Sequence, residues 1–238
     1  MPDIIVKHTT GGTTQSGINT VMNPSNTASY HFIIAGARFE GRGIVPAYND
    51  GDIFQLVDIR NAAYHAGTSS EIRARALLAS VRERTGASPN WYTVGVAFGD
   101  MNLNGWRLTE AQIESSIWLT EHIRTEVKRL FGNTIQLDRQ HLVGHNQINP
   151  VTRASCPGNI QWDEIMHGLN IKYADRRISE MRYDTVKEMP AWAQADIQEL
   201  IDRGLLMGGN GDNSNLNLSL DMIRMLIIES RREAAKNG

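Results

Sequence analysis

The sequence predicts an α/β fold in which helices flank a mixed central β-sheet, with a small helical module at the C-terminus. Short β-branched runs alternate with segments of helical periodicity up to position 172. Beyond that position a charged segment precedes shorter apolar helical patterns. We therefore predict a main domain over 1–172, a connector over 173–181 and a small helical module over 182–238.

The first hundred residues supply most strands of the predicted sheet. A β-branched run at 4–6 is typical of a buried strand, and a polar loop with at most a short helix follows over 13–28. The segments 29–34 and 53–58 predict two paired strands joined by an enlarged, glycine-rich connection. The apolar segment 91–98 predicts a central strand that is covered on both faces.

Helical periodicity marks the connections between these strands and the C-terminal region. Apolar residues recur at helical spacing over 69–85. A stronger signal begins at Thr109, where a capping-box pattern precedes apolar residues every three or four positions as far as Gly132. The segment 190–203 predicts a further helix. Four apolar residues define the last predicted helix: Leu220, Ile223, Leu226 and Ile227.

The composition is ordinary for a globular chain and excludes several classes of function. The chain has 238 residues, of which 41% are hydrophobic and 21% are charged. Its net charge of -2 offers no basic surface to nucleic acid, so we expect no nucleic-acid partner. A single cysteine rules out an internal disulfide. We expect no membrane insertion, because no apolar run approaches the ~20 residues of a membrane helix. We also expect that the protein is made in the cytoplasm without a signal peptide.

Three side chains that can bind a metal follow predicted strands. His145 follows the apolar run 141–143, and the only cysteine, Cys156, lies on the next loop; His8 follows the first strand in the same way. Imidazole nitrogen and thiolate sulfur are ligands that zinc accepts, and a catalytic zinc site uses three protein ligands. The alternative that Cys156 binds no metal stays open at this point, because a lone cysteine is usually a small, buried hydrophobic residue.

Several short segments occur in an order that is found in one known family. They are IVKHTT at 5–10, SYHFII at 29–34, IFQLVD at 53–58, AYHAG at 63–67, VGV at 94–96, GH at 144–145 and CPG at 156–158. In these segments the chain resembles zinc-dependent N-acetylmuramoyl-L-alanine amidases of the phage-lysozyme and peptidoglycan-recognition-protein type. The resemblance extends from about residue 4 to residue 160.

The resemblance implies an enzyme that hydrolyses the amide between N-acetylmuramic acid and L-alanine in bacterial peptidoglycan, with one Zn²⁺ per chain. His8, His145 and Cys156 match the family's metal ligands. Tyr30 matches its catalytic tyrosine, which assists proton transfer or hydrogen-bonds the oxyanion. His65 matches a residue that lines the substrate groove.

Other expected site residues surround this set. Tyr64 and Asn146 are predicted to contact the substrate. Phage members of the family often carry a lysine two residues before the cysteine, but Ala154 occupies that position here. Thr152 or Arg153 is therefore expected to supply the missing donor, with a solvent-facing Arg153 as the alternative.

Two other functions stay open from the sequence. Cys156 as nucleophile with His145 as base would give a thiol hydrolase, although papain-like wall peptidases usually place the cysteine first. A non-catalytic peptidoglycan-binding module is the other, although such relatives tend to lack the cysteine. The C-terminal module resembles segments appended to phage endolysins, which implies wall attachment or, alternatively, a stabilising or dimerising role. We expect an endolysin that acts on the bacterial cell wall after release. The sequence gives no indication of the oligomeric state.

Overall fold

The computed structural model describes residues 1–180, 182–209, 211, 215–219, 222–223, 225–227 and 230. The chain forms two compact units, Met1–Asn170 and Ile171–Gly238. Among the described residues, no helix is long and apolar enough to cross a bilayer.

A five-stranded mixed sheet forms the centre of the first unit, which confirms the predicted fold class. The strand order is β3-β2-β4-β1-β5, with β2 and β3 antiparallel and the other neighbours parallel. The predicted hairpin with an enlarged connection is therefore present. The strands are β1 (Ile4–Thr9), β2 (Phe32–Ile34), β3 (Ile53–Gln55), β4 (Thr93–Phe98) and β5 (Leu142–Gly144).

Helices of very different length connect these strands. They are α1 (Thr14–Met22), α2 (Ser70–Arg73), α3 (Ala79–Glu83), α4 (Glu110–Phe131), α5 (His145–Ile148) and α6 (Trp162–Glu180). Short 3-10 turns at Pro89–Trp91 and Met101–Asn104 flank β4.

The longest helix of the first unit, α4, begins and ends as its sequence predicts. The Thr109 side chain accepts from the Gln112 backbone amide, and the Gln112 side chain accepts from the Thr109 amide. At the other end Gly132 adopts a left-handed conformation (φ 71°) and ends the helix. The apolar side of α4 packs in the core with both Ile5 and Val94 of the sheet. Each buried aliphatic side chain contributes roughly 1.5–3 kcal/mol.

The single helix predicted over 69–85 is wrong, because two short helices, α2 and α3, occupy this segment. Hydrogen bonds that are not part of either helix stabilise the break between them. The Leu77 amide donates to the carbonyl of Gln147, and the Arg82 guanidinium donates to the carbonyls of Ala76 and Leu77. These bonds, one of them to a residue outside the segment, replace the helical ones, which periodicity alone does not indicate.

Other element bounds differ from the prediction. The loop predicted over 13–28 contains the nine-residue helix α1, which Thr13 caps through its side chain. The strand predicted from residue 29 begins only at Phe32. The segment predicted as a connector over 173–181 is helical as far as Glu180, because α6 continues through it.

Strand β1 presents alternate residues to two separately packed faces. Ile5 belongs to the core that contains α4, and Lys7 on the same face reaches Thr120 of that helix. Val6 belongs to a second core on the opposite face, together with Val143 of β5. The alternation directs His8 to this second face, where β1 and β5 run parallel and side by side.

The second unit has its own apolar core, built from Tyr183, Met189, Ala193, Ile197, Leu200, Ile201, Leu216, Leu218, Ile223 and Ile227. The predicted helix over 190–203 is present as α7 (Ala191–Asp202). A two-stranded antiparallel ladder, β6 (Arg182–Tyr183) with β7 (Leu218–Ser219), was not predicted because two-residue strands leave no periodic pattern. Three of the four residues that define the last predicted helix are helical, and Leu220 lies outside the described residues.

Candidate metal centre

The predicted ligands His8, His145 and Cys156 meet at one edge of the sheet, with their ligand atoms within 4.8 Å of one another. The parallel strands β1 and β5 end beside each other, which brings the two histidines together. Cys156 lies on the loop that follows, and its backbone carbonyl accepts a hydrogen bond from the Asn146 amide at 2.8 Å. Gly144 makes this packing possible, because a Cβ there would lie 2.8 Å from Pro157 Cδ.

The three ligand atoms are close enough to one another to bind a single cation. His8 Nδ1 lies 3.0 Å from His145 Nδ1 and 3.9 Å from Cys156 Sγ. Tetrahedral zinc, with bonds of about 2.0 Å to nitrogen and 2.3 Å to sulfur, separates such ligand atoms by roughly 3.3–3.6 Å. Two ring nitrogens this close need a proton or a cation between them, because their lone pairs repel. The donor set therefore fits zinc in chemistry, and the two distances lie on either side of the tetrahedral spacing.

A chain of hydrogen bonds behind His8 fixes which of its nitrogens carries the proton. The Thr93 hydroxyl donates to the Pro89 carbonyl at 2.7 Å, so it can only accept from His65 Nε2 at 3.2 Å. His65 Nδ1 is then unprotonated and accepts from His8 Nε2 at 2.9 Å. His8 Nδ1 is left with its lone pair directed at the cluster. A partner of this kind usually sets the tautomer and orientation of a metal-bound histidine.

Small residues on β4 make room for the His65 ring. Thr93, Gly95 and Ala97 alternate along the strand face that carries the site, whereas valines and a phenylalanine face the other core. A Cβ at Gly95 would lie only 2.5 Å from His65 Cγ. The Asn90 side chain accepts from the backbone amide of His65 at 3.2 Å and so holds the backbone in place.

His31 is a buried neighbour of the cluster, and both of its ring nitrogens are hydrogen-bonded. Its Nε2 donates to the Asn61 carbonyl at 3.0 Å, and its Nδ1 accepts from the Gly95 amide at 2.9 Å. Burial lowers the pKa of His31 to about 4. The ring is therefore neutral and supports the packing of the His65 ring, 5.6 Å away between centroids.

Burial holds the ligand histidines in the neutral form that metal binding requires. It lowers the pKa of His8 well below its ordinary value, and the neighbouring His145 and His65 add to the effect. It lowers the pKa of His145 to about 4, with a further contribution from the charge of Arg153. Burial also raises the pKa of the Cys156 thiol, so the metal-free chain lacks the acidic thiol of a cysteine nucleophile.

Tyr30 lies beside this cluster, with its ring centroid 5.3 Å from that of His8. Burial raises the pKa of its phenol, and the nearby Cys156 raises it further. Tyr30 therefore keeps its proton at neutral pH and can donate it in a hydrogen bond.

The remaining predicted site residues line a groove of about 490 Å³ or its continuation. Thr152, Arg153, Tyr64 and His65 line the groove itself, and Asn146 lines the continuation. The Tyr64 side chain is 64% exposed there. Arg153 is exposed and its charge reaches the cluster, since it lowers the pKa of both histidine ligands.

A model of the N-acetylmuramoyl-L-alanine amidase family matches residues 1–159, which contain all three clustered side chains. This chain belongs to that family. The amidase therefore hydrolyses an amide bond of peptidoglycan. No curated protein sequence matches the amidase.

Solved structures of other amidases are similar to this chain. They include the amidase AmiD from E. coli in complex with anhydro-N-acetylmuramic acid-L-Ala-D-gamma-Glu-L-Lys (19% identity, 84% of this chain and 70% of that chain, TM-score 0.48). AmpDh3 from Pseudomonas aeruginosa, in complex with an anhydromuramic pentapeptide, is 18% identical over 88% of this chain and 70% of its own, with a TM-score of 0.48. The amidase LysC from Clostridium intestinale is 21% identical over 71% and 85%, with a TM-score of 0.43.

One residue of the site, Thr93, was not identified from the sequence. It lies inside the segment 91–98, which was interpreted only as a buried strand. The signal that marks it is the alternation of small and large residues along TVGVAF, because a strand whose small side chains share one face leaves room there for another group.

Proposed function

We propose that this amidase uses zinc, and that it acts as a phage-type endolysin on the bond between N-acetylmuramic acid and L-alanine. The observation that carries the zinc proposal is the convergence of His8 Nδ1, His145 Nδ1 and Cys156 Sγ at the groove. The neutral state of both imidazoles and the hydrogen-bonded tautomer of His8 support it further.

When bound, zinc supplies a Lewis acid for the scissile carbonyl and lowers the pKa of a water to about 7. Tyr30 keeps its proton and donates a hydrogen bond to the oxygen on which negative charge develops. Arg153 brings positive charge to the groove and so replaces the lysine of the family's phage members, whose position is occupied here by Ala154. Thr152 assists by position, since its hydroxyl accepts from the Asn149 side chain at 2.8 Å and lines the groove.

The rest of the groove holds the substrate in this proposal. Tyr64 offers an exposed ring on one wall. Asn146 offers an amide on the other side of Cys156, where it lines the continuation of the groove. His65 contributes mainly through His8, because its ring is buried and its nitrogens are both hydrogen-bonded.

The zinc proposal is tested by metal removal. Purified peptidoglycan is incubated with the amidase, and newly released alanine amino groups are counted before and after treatment with a chelator. We expect activity to be lost with chelator and restored by one equivalent of zinc. Activity that resists chelation but disappears on alkylation of Cys156 would contradict the proposal and favour the thiol mechanism.

The endolysin role is proposed on the family membership and on the second compact unit that follows the amidase unit. We propose that the chain is made in the cytoplasm and reaches the wall only after release. The test is expression in bacteria with and without a membrane-permeabilising agent, with His145→Ala as control. Lysis that requires permeabilisation and an intact His145 supports the role; lysis without permeabilisation contradicts it.

Wall attachment is proposed for the second unit. The Trp192 side chain on α7 is 51% exposed, and Leu205 and Met207 of the same unit are also exposed. Binding of the full chain to purified walls is compared between the parent and Trp192→Ala, with Trp118→Ala on α4 as the matched control. A selective loss with Trp192→Ala supports attachment; equal binding by all three proteins contradicts it.

A further inference from the structure

The groove continues past Cys156 into a second cavity of about 570 Å³. Thr9, Gly11 and Cys156 line both cavities, whereas His8 and His145 line only the first, so the two cavities meet at the Cys156 side of the metal centre. We call the first cavity the Arg153 arm and the second the Trp106 recess. A substrate that extends on both sides of the scissile bond therefore has a cavity available in each direction.

The two cavities differ in charge. Among the described residues that line the Arg153 arm, Arg153 carries the one formal charge. The described residues that line the Trp106 recess include none that is charged, and its polar groups are amides and hydroxyls such as Asn146, Ser155 and Asn159. Electrostatic complementarity therefore favours an anionic group in the Arg153 arm and a neutral polar group in the Trp106 recess.

The substrate of the proposed reaction has the same asymmetry. On one side of the scissile amide is a sugar whose polar groups are hydroxyls and an acetamide, all uncharged. On the other side is a peptide, which carries carboxylates. Matching charge to charge places the peptide in the Arg153 arm and the sugar in the Trp106 recess.

The conformation of Trp106 gives the recess a fixed aromatic wall. The indole is 42% exposed, and the residue has a left-handed backbone (φ 62°), which is unusual for a bulky side chain. Its amide donates to the Met101 carbonyl at 2.7 Å, and its carbonyl accepts from the Asn159 amide at 2.9 Å. Such a conformation costs roughly 1–3 kcal/mol and persists where neighbouring contacts enforce it, often at a functional site.

We propose that the Trp106 recess is the glycan subsite of this amidase, with the Trp106 indole as the platform for the sugar ring next to the scissile bond. The flat apolar face of an exposed indole suits the C–H face of a sugar, while its rim stays in water. Asn146 and Asn159 are placed to hydrogen-bond the acetamido and hydroxyl groups. This inference rests on the proposed function and adds which cavity holds the sugar and which holds the peptide.

The test compares two substrates that share the scissile amide. One is a disaccharide tripeptide of peptidoglycan, and the other is the same tripeptide with only a D-lactoyl group in place of the sugar. We expect the parent to show a kcat/KM at least roughly tenfold higher with the sugar, since one well-made pocket contact is worth about that much. This sugar-dependent factor is expected to fall towards one in Trp106→Ala.

Two further variants keep the outcome interpretable. Trp106→Gly suits the left-handed backbone and also removes the indole, so it should give the same result even if the alanine variant folds poorly. Trp118→Ala removes another exposed tryptophan, which is 54% exposed on α4 and lines neither cavity. It is expected to keep the sugar-dependent factor of the parent.

Each outcome supports or overturns a distinct claim. A parent that cleaves both substrates equally, or Trp106 variants that keep the sugar-dependent factor or lose activity equally on both substrates, overturns the glycan subsite. A parent that cleaves neither substrate overturns the proposed function and the subsite with it. A loss confined to the sugar-bearing substrate supports the subsite.

Discussion

At the scale of single residues, a backbone carbonyl that is separated from His8 by two side chains decides which nitrogen of His8 carries the proton. The Pro89 carbonyl orients the Thr93 hydroxyl, which orients His65, and His65 Nδ1 in turn accepts a hydrogen bond from His8 Nε2. The lone pair on His8 Nδ1 is thereby prepared before any metal binds. Thr93 is a positioning residue in this account, since it acts on the metal only through the two imidazoles.

These hydrogen bonds predict that two small changes at Thr93 differ in their effect on zinc affinity. Thr93→Val keeps the shape but removes the hydroxyl, so His65 Nε2 loses its acceptor, and we expect zinc affinity to fall by about 10- to 100-fold. Thr93→Ser keeps the hydroxyl and should bind zinc like the parent. The measurement is the zinc dissociation constant, from competition with a chromophoric chelator. Equal affinities for the valine and serine variants would show that the hydroxyl does not set the tautomer.

Tyr30 acts on the reaction rather than on the metal in this account. Because burial raises the pKa of the phenol, Tyr30 is a hydrogen-bond donor at neutral pH, and Tyr30→Phe removes that donor alone. We expect kcat to fall by about 10²- to 10³-fold, as for the loss of one oxyanion donor. Zinc content, measured on the same samples, should stay near that of the parent. Loss of zinc in Tyr30→Phe would mean that its role is structural.

Lys7 is a residue whose burial opposes folding. Its ammonium group is fully buried, with the Thr120 hydroxyl as hydrogen-bond acceptor at 3.2 Å and the Phe98 ring 5.7 Å away. Burial lowers the pKa of Lys7 from 10.5 to about 7. The charged form is therefore disfavoured in the folded state by an amount on the order of a few kcal/mol.

We expect Lys7→Met to raise the free energy of unfolding, and by an amount that depends on pH. Below pH 7 the folded and unfolded states both hold the proton, so the full penalty applies. Between about 7 and 10.5 only the unfolded state holds it, and the penalty shrinks as pH rises. Denaturant unfolding of both proteins at several pH values measures the difference. A gain that is absent at pH 6, or that grows towards pH 10, contradicts this explanation.

At the scale of elements, β4 carries two requirements at once. Its larger residues belong to the core with α4, while Gly95 and its small neighbours on the other face leave room for the His65 ring. The strand therefore links the packing of the fold to the orientation of a metal ligand.

Gly95→Ala tests whether the space that Gly95 leaves for the His65 ring is needed for zinc binding. The new Cβ would lie 2.5 Å from the buried His65 ring, which must move and so release His8 Nε2. We expect a lower Tm and weaker zinc binding together. Gly86→Ala is the matched control, since a Cβ at Gly86 meets nothing within 4 Å, and it should change neither quantity. Unchanged zinc binding in Gly95→Ala would argue against the role of His65.

Element prediction succeeded where a local signal was sufficient and failed where distant groups decided the backbone. The capping box at Thr109 and the glycine at 132 define α4 without help from the rest of the chain. The break between α2 and α3 is held by the Leu77 amide, which donates to the carbonyl of the distant Gln147, and that pairing leaves no trace in local periodicity. The ladder of the second unit is too short for any alternation to be recognised.

At the scale of the whole first unit, the site follows from the order of the strands. His8 and His145 are 137 positions apart in sequence, and they meet because β1 and β5 are parallel neighbours. The sequence indicates that each histidine ends a strand, but strand adjacency came only from the resemblance to a known family. Trp106 lies outside the segments that carry that resemblance, so nothing in the sequence marked it as part of the groove.

The central claim is that three distant side chains bind one zinc ion on which hydrolysis depends. Elemental analysis of the purified chain, with alanine release from peptidoglycan measured on the same sample, tests it most directly. We predict about one zinc per chain in the parent. In His8→Ala, zinc content and alanine release should fall together. A parent that holds no stoichiometric metal and still releases alanine at its full rate would contradict the account.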